Sequence, residues 1–215
     1  MSSVLATLVV SAVIFCPAQL IHSGFEDMSN GKWDGPGGGG VGGGGGTGQV
    51  VGIGKDSFVR SGARAVCLEI WDDGSPDSVA WAAIMQTIPC DTQRKIRVGA
   101  WLYFSSSVLP LGSESTAHLR IEYFEDKEGL QLIPTHIYLS PPFDPASYEP
   151  DSWHLIEACD RIPRNARSLR VSVVVTGQGM NGRKQAVWLD DLYVDLSPAP
   201  FPRGMRRPGK SESTG

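Results

Sequence analysis

Two stretches of the 215-residue chain carry residue types that do recognisable chemistry, IRVGAWLYF (96–104) and AHLRIEYF (117–124). In both, apolar residues alternate with everything else. Alternation at period two is a strand signal, because successive side chains leave a strand on opposite faces. The first puts Ile96, Val98, Ala100, Leu102 and Phe104 on one face, and Arg97, Trp101 and Tyr103 on the other. The second puts Leu119, Ile121 and Tyr123 on one face, and His118, Arg120, Glu122 and Phe124 on the other. The apolar sets read as core. If the two strands lie in one sheet, the mixed sets form an aromatic–polar surface. Trp101 and Tyr103 would offer flat faces that stack on the apolar side of a sugar ring. Arg120, Glu122 and the amide of Gln86 would hydrogen-bond its hydroxyls. Trp33 and Trp71 flank loops and would form a rim. The alternative for each of these tryptophans is burial, since Trp is mostly buried in folded chains. Trp153 and Trp188 read as structural.

Other chemistries are poorly served. Glu122, Glu125, Asp126 and Glu128 are close in sequence, and glycoside hydrolysis uses two carboxylates. But EDKEG (125–129) reads as a solvated turn. There is no GxSxG elbow. His22, His118, His136 and His154 are scattered without an HExxH pair, and no GxxxxGK[ST] loop exists. The chain therefore reads as a non-enzyme. The run GPGGGGVGGGGGTG (35–48) satisfies the G-x-G-x-x-G pattern trivially. A dinucleotide site needs a strand before that pattern and a helix after it. Neither flank fits, so no nucleotide is expected. Glycine loses the most freedom on ordering. The run therefore reads as a flexible loop inside the domain, a mobile spacer beside Trp33.

The elements that must position these residues are strands. Short alternating or apolar runs are separated by Gly, Pro, Asp and Ser clusters, the pattern of an all-β sandwich or barrel. Strands are predicted over 19–23, 65–71, 79–88, 95–105, 117–125, 136–140, 153–158, 168–176 and 186–194. Residues 1–18 read as a signal peptide: Val4 to Phe15 is an apolar run too short for a comfortable membrane span. No Lys or Arg precedes it, which departs from the usual pattern. Residues 197–215 are Pro-rich and basic and read as a disordered tail. The net charge of −4 argues against a nucleic-acid partner. Cys16, Cys67, Cys90 and Cys159 show no CxxC spacing. Either one disulfide forms or the strand cysteines are small buried apolar residues.

The order of landmarks resembles that of secreted carbohydrate-binding modules with the galactose-binding-like jelly-roll fold. LIHSGFED resembles their opening strand, and a loop tryptophan follows in NGKWDG. VRSGARAVCLEI, IMQTIPCDTQRKIRVGAWLYF, LRIEYFEDKEGLQL and WHLIEACDRIPRNARSLRVSVVVTG are similar to successive strands. VWLDDLYVDL is similar to the closing one. The resemblance covers residues 19–196. Pro89 and Cys90 depart from the family pattern, as does the glycine-rich run.

The resemblance implies a jelly-roll β-sandwich of two antiparallel sheets. It also implies a monomeric, exported, non-catalytic module that binds a glycan or polysaccharide. The alternatives are a polysaccharide-active enzyme and a structural or adhesion domain. Finally, it implies a structural Ca2+ tying the first strand to the last, held by Glu26, Asp190 and backbone carbonyls near Gly24 and Ser61. Calcium takes six to eight hard oxygen ligands.

Overall fold

The computed structural model describes residues 25–26, 34–41, 43–53, 57–90 and 95–196. The predicted strand at 19–23, the signal peptide, Gly24, Trp33, Cys16 and the tail lie outside the described residues. Ten strands follow one another: β1 Asp34–Val41, β2 Gly45–Gly52, β3 Arg64–Trp71, β4 Val79–Pro89, β5 Lys95–Tyr103, β6 Ser115–Phe124, β7 Leu132–Leu139, β8 His154–Arg161, β9 Ser168–Gln178 and β10 Lys184–Asp195. No helix among the described residues is long and apolar enough to cross a membrane.

The strands form two antiparallel sheets, ordered β1-β4-β9-β6-β7 and β2-β3-β10-β5-β8. The protein is thus an all-β jelly-roll sandwich. The period-two pattern explains the layering. Ile84 and Ile88 on β4, Leu119 and Ile121 on β6, and Val171 and Val173 on β9 face inward. They meet Leu68 and Ile70 on β3, Val98 and Leu102 on β5, and Val187 and Leu189 on β10 in one buried cluster. Burying each such side chain stabilises the fold by about 1.5–3 kcal/mol.

The glycine-rich run is not a flexible spacer. It forms β1 and β2, which open opposite sheets: β1 pairs with β4, and β2 pairs with β3. The expectation weighed the entropy of glycine and missed its small size. A Cβ on Gly44 would sit on the backbone carbonyl of Val79, and one on Gly46 on that of Trp81. The lack of a side chain lets β2, in one sheet, approach the backbone of β4, in the other. Facing sheets normally stand about 10 Å apart. At Gly45, a Cβ would fall 2.8 Å from the Trp71 indole, which lies against the strand there.

Two turns at one end of the sandwich are tied by Asp72. Its Oδ1 accepts the backbone N–H of Gly74, at 3.2 Å, and that of Gly182. On β10 the pairing with β5 shifts between Asp190 and Tyr193, a bulge, and Asp191 sits there at φ 48°. Asp is among the few non-glycine residues that tolerate that region. Cys67, Cys90 and Cys159 are free thiols. Cys67 is buried, and desolvation, helped by Glu69, pushes its thiol up to about 12, so it stays protonated and inert.

Candidate functional site

The expected single surface does not form, because β5 and β6 lie in different sheets. The residues assigned to it are divided between the two outer faces and the core.

Tyr103 and Trp101 belong to the outer face of the β2-β3-β10-β5-β8 sheet, and loops cover much of that face. Tyr103 is only 7% exposed. Phe58 stacks on its ring with centroids 4.2 Å apart, and Trp153 and Trp188 pack beside it. Together with Cys67 and Ala186, Tyr103 and Trp188 make a second small core. Burial, with Asp151 nearby, raises the Tyr103 hydroxyl above its ordinary pKa. Trp101 is half-buried beneath the Arg60 guanidinium, 3.9 Å from its ring centroid. Arg60 in turn pairs with Asp191. Trp71 is half-buried near the Lys184 ammonium, which pairs with Glu69 at 2.9 Å. Tyr103 is thus part of a packed layer, and the stacking surfaces of Trp101 and Trp71 are partly covered.

Gln86 is also displaced from the expected face. It shares parity with Ile84 and Ile88, stands opposite core residue Val171 across the β4–β9 register, and is 3% exposed. It faces the interior.

Arg120 and Glu122 do lie on an outer face, that of the β1-β4-β9-β6-β7 sheet. The cross-strand register arranges that face in rows. Trp81, Thr176 and Thr116 form one row; Ala83, Val174 and His118 the next; Met85, Ser172, Arg120 and Leu139 the third; Thr87, Arg170, Glu122 and Ile137 the fourth. Six residues along β4 separate the first row from the last, roughly 20 Å of strand. Trp81 is 39% exposed, and Ile137 and Leu139 are also exposed. The neighbours of Trp81 explain its exposure: Gly39 on β1, which has no side chain, and the short Thr176 on β9.

At the other end of the face stands an ionic group. Arg120 Nη2 donates to Glu122 Oε1 at 2.7 Å, and Arg170 Nη1 lies 3.9 Å from Glu122 Oε2. Glu122 is 8% exposed. A carboxylate that dry needs cationic partners, and it has two. Arg170 is fixed further by Thr87 Oγ1 at 3.3 Å and the Gly129 carbonyl at 3.2 Å, and its guanidinium lies over the Phe124 ring. Arg120 Nε is buried and has no partner. His118 bridges Thr116 Oγ1 and the Ser140 carbonyl through its two ring nitrogens, at 3.2 and 3.3 Å. The face thus joins an aromatic plate, hydroxyls and an arginine–carboxylate group on one rigid sheet.

The other carboxylates of the expected group are engaged in the turn after β6. Asp126 accepts the N–H groups of Leu130 and Gln131, and these bonds lower its pKa. Glu125 accepts from Asn165 Nδ2 at 2.6 Å.

Glu26 and Asp190 meet at the loop 60–64, as the resemblance implied. Asp190 Oδ2 accepts the N–H groups of Arg60 and Ser61, both at 3.0 Å, and Oδ1 accepts that of Asp191 at 2.8 Å. Glu26 Oε1 accepts from Ala63 and Arg64 at 2.8 and 3.1 Å. Burial pushes the Asp190 carboxyl up, against these bonds. Hard carboxylate oxygens suit calcium. The loop, however, turns N–H groups rather than carbonyls to these oxygens. Among the described residues no group of three or more His, Cys, Asp or Glu is placed to hold a metal.

Trp81 escaped the sequence reading because both faces of VAWAAIMQTI are apolar, so alternation does not tell inside from outside. The signal that does exist is weaker. Ala80, Ala82 and Ile84 share one parity, and the bulky Trp81 and flexible Met85 share the other.

No family model matches the chain, and a comparison with curated proteins finds no match. Solved structures do match. The enzymatically active domain of tailspike protein 4 from bacteriophage CBA120 superposes with a TM-score of 0.50 at 16% identity, over 81% of this chain and 20% of that one. A carbohydrate-binding module from the β-sandwich superfamily superposes with a TM-score of 0.50 at 12% identity, over 80% of this chain and 60% of that one. At these identities the likeness is one of fold. The chain has the β-sandwich architecture found in carbohydrate-binding modules, and it spans a fifth of the tailspike chain and three-fifths of the module chain.

Proposed function

We propose that the protein binds a glycan, without cleaving it, on the outer face of the β1-β4-β9-β6-β7 sheet. One observation carries the reading: the exposed Trp81 and the Arg120–Glu122 pair stand on the same solvent-facing side of one sheet. The indole is a stacking plate for the apolar side of a pyranose. The guanidinium, the carboxylate, Thr116 and Thr176 offer donors and acceptors for hydroxyls. A length of roughly 20 Å suits an extended oligosaccharide rather than a single sugar. The β-sandwich likeness to a carbohydrate-binding module agrees with this reading.

The absence of cleavage rests on the carboxylates. A glycosidase holds one carboxyl protonated beside a second carboxylate. The Asp190 carboxyl, which burial pushes up, lies on the opposite sheet and is 0% exposed. Glu122 is held between two arginines. Affinity electrophoresis through gels cast with a panel of soluble polysaccharides tests the proposal, with reducing-end release measured on the same panel. Retardation by at least one polysaccharide without release of reducing ends is expected. No retardation across the panel would leave an adhesion or structural domain as the better reading, and release of reducing ends would make it an enzyme.

Export through residues 1–18 belongs to the same proposal and is tested by N-terminal sequencing of secreted protein. So does a calcium ion between Glu26 and Asp190, and so does a monomeric state.

A further inference from the structure

We infer that the glycan is anionic, and that Arg120 is the group that reads its charge. The inference rests on the proposed glycan site and names its ligand class. Two guanidinium groups share one carboxylate there, so the group carries one positive charge more than it needs internally. The two arginines are not equivalent. Arg170 is consumed structurally: it donates to Thr87 and to the Gly129 carbonyl, lies over Phe124, and faces Glu122. Arg120 has one protein acceptor, Glu122, met by Nη2, and its Nε–H is buried with no partner at all.

A buried donor without an acceptor costs stability, and native structures rarely leave one without a reason. The Arg120 side chain is 38% exposed, so its remaining guanidinium edge is open to solvent. A guanidinium with unused donors on a flat sheet presents a fork matched to a planar carboxylate or to a sulfate. Its surroundings strengthen the case. Leu139 and Ile137 stand across the register from Arg120 and Glu122, and both are exposed. They lower the local polarity, so an ion pair made there is screened less than one in open water. The acids of the neighbouring turn do not cancel the charge by pairing with Arg120. Asp126 is bound by backbone N–H groups and Glu125 by Asn165. The shared chemistry is thus an anionic substituent on a sugar, either a uronate carboxylate or a sulfate ester.

The experiment uses the full chain and four polymers: polygalacturonate, its carboxyl-reduced neutral counterpart, dextran sulfate and dextran. Binding is measured by calorimetry or affinity electrophoresis at low and moderate salt. Binding to polygalacturonate or to dextran sulfate is expected, with at least about tenfold weaker binding to the neutral counterpart. Which of the two binds separates the carboxylate from the sulfate. Arg120→Gln is expected to erase most of that preference at an unchanged melting temperature, whereas Arg120→Lys restores part of it. A wild-type protein that binds the neutral polymers as tightly as the charged ones would overturn the inference and leave the glycan reading standing. So would an Arg120→Gln variant that keeps the full preference. A protein that binds none of the four polymers, and none in the wider polysaccharide panel, would overturn both.

Discussion

Glu122 on β6 stands directly across the register from Arg170 on β9, with Oε2 of one 3.9 Å from Nη1 of the other. The pair holds a nearly dry carboxylate on an outer sheet face, a costly arrangement that rests on two cations rather than one. Replacing Arg170 would remove one of them and also free the Gly129 turn. We therefore expect Arg170→Ala to lower the melting temperature, whereas Arg120→Gln, on the more open side, leaves it near the wild-type value. Thermal melts of the two variants check this. Equal losses would show that both arginines are structural.

The glycines of β2 are sites of close approach, not of slack. Gly46→Val forces a side chain into the backbone of Trp81, in the other sheet. Overpacking of this kind costs about 1–3 kcal/mol and occasionally more. A denaturant melt should show a loss in that range or above. A variant as stable as the wild type would return the run to the status of a spacer.

Asp151 gives the fold an acid limit. The Ser106 hydroxyl, the Ser106 N–H, the Ser105 hydroxyl and the Tyr103 hydroxyl all donate to its carboxylate, and together they lower its pKa. A group whose pKa is lower folded than unfolded stabilises the fold above the ordinary aspartate value. That stabilisation fades as the pH falls through the folded-state value. Asp151→Asn should therefore lose stability at neutral pH and approach the wild type as the pH drops below the ordinary aspartate range. Melting temperatures from neutral to acid pH read this directly. A wild-type advantage that is constant with pH would contradict it.

Chelation tests the proposed calcium. If an ion joins Glu26 to Asp190, a strong chelator lowers the melting temperature and added calcium restores it. The Glu26→Gln variant would lose that response. An unchanged melt in chelator would leave the N–H bonds of loop 60–64 as the whole of what those carboxylates do.

The sequence disclosed faces better than neighbours. Alternation assigned Ile96, Val98, Leu119 and Ile121 to the interior, where they are buried. It also put Arg120 and Glu122 outside. Alternation is a local property, however, and sheet membership is not. β5 finds β8 and β10 while β6 finds β7 and β9, through partners distant in sequence. Hence Trp101 and Arg120 came apart. Gln86 was legible in principle, since it shares parity with Ile84 and Ile88; its polar side chain outweighed its register. Trp81 was hidden by the apolar composition of both faces of β4. The glycine run was misjudged because composition reports the entropy of a free chain and not the clearance between two packed sheets.

The claim that the β1-β4-β9-β6-β7 face is the binding surface is tested most directly by two tryptophan variants measured side by side. Trp81→Ala and Trp101→Ala each remove one indole, from opposite sheets. Affinity electrophoresis on a polysaccharide that retards the wild type should show retardation lost in Trp81→Ala, with its melting temperature preserved, and kept in Trp101→Ala. Retardation kept in Trp81→Ala and lost in a folded Trp101→Ala would move the site to the other sheet and contradict the account.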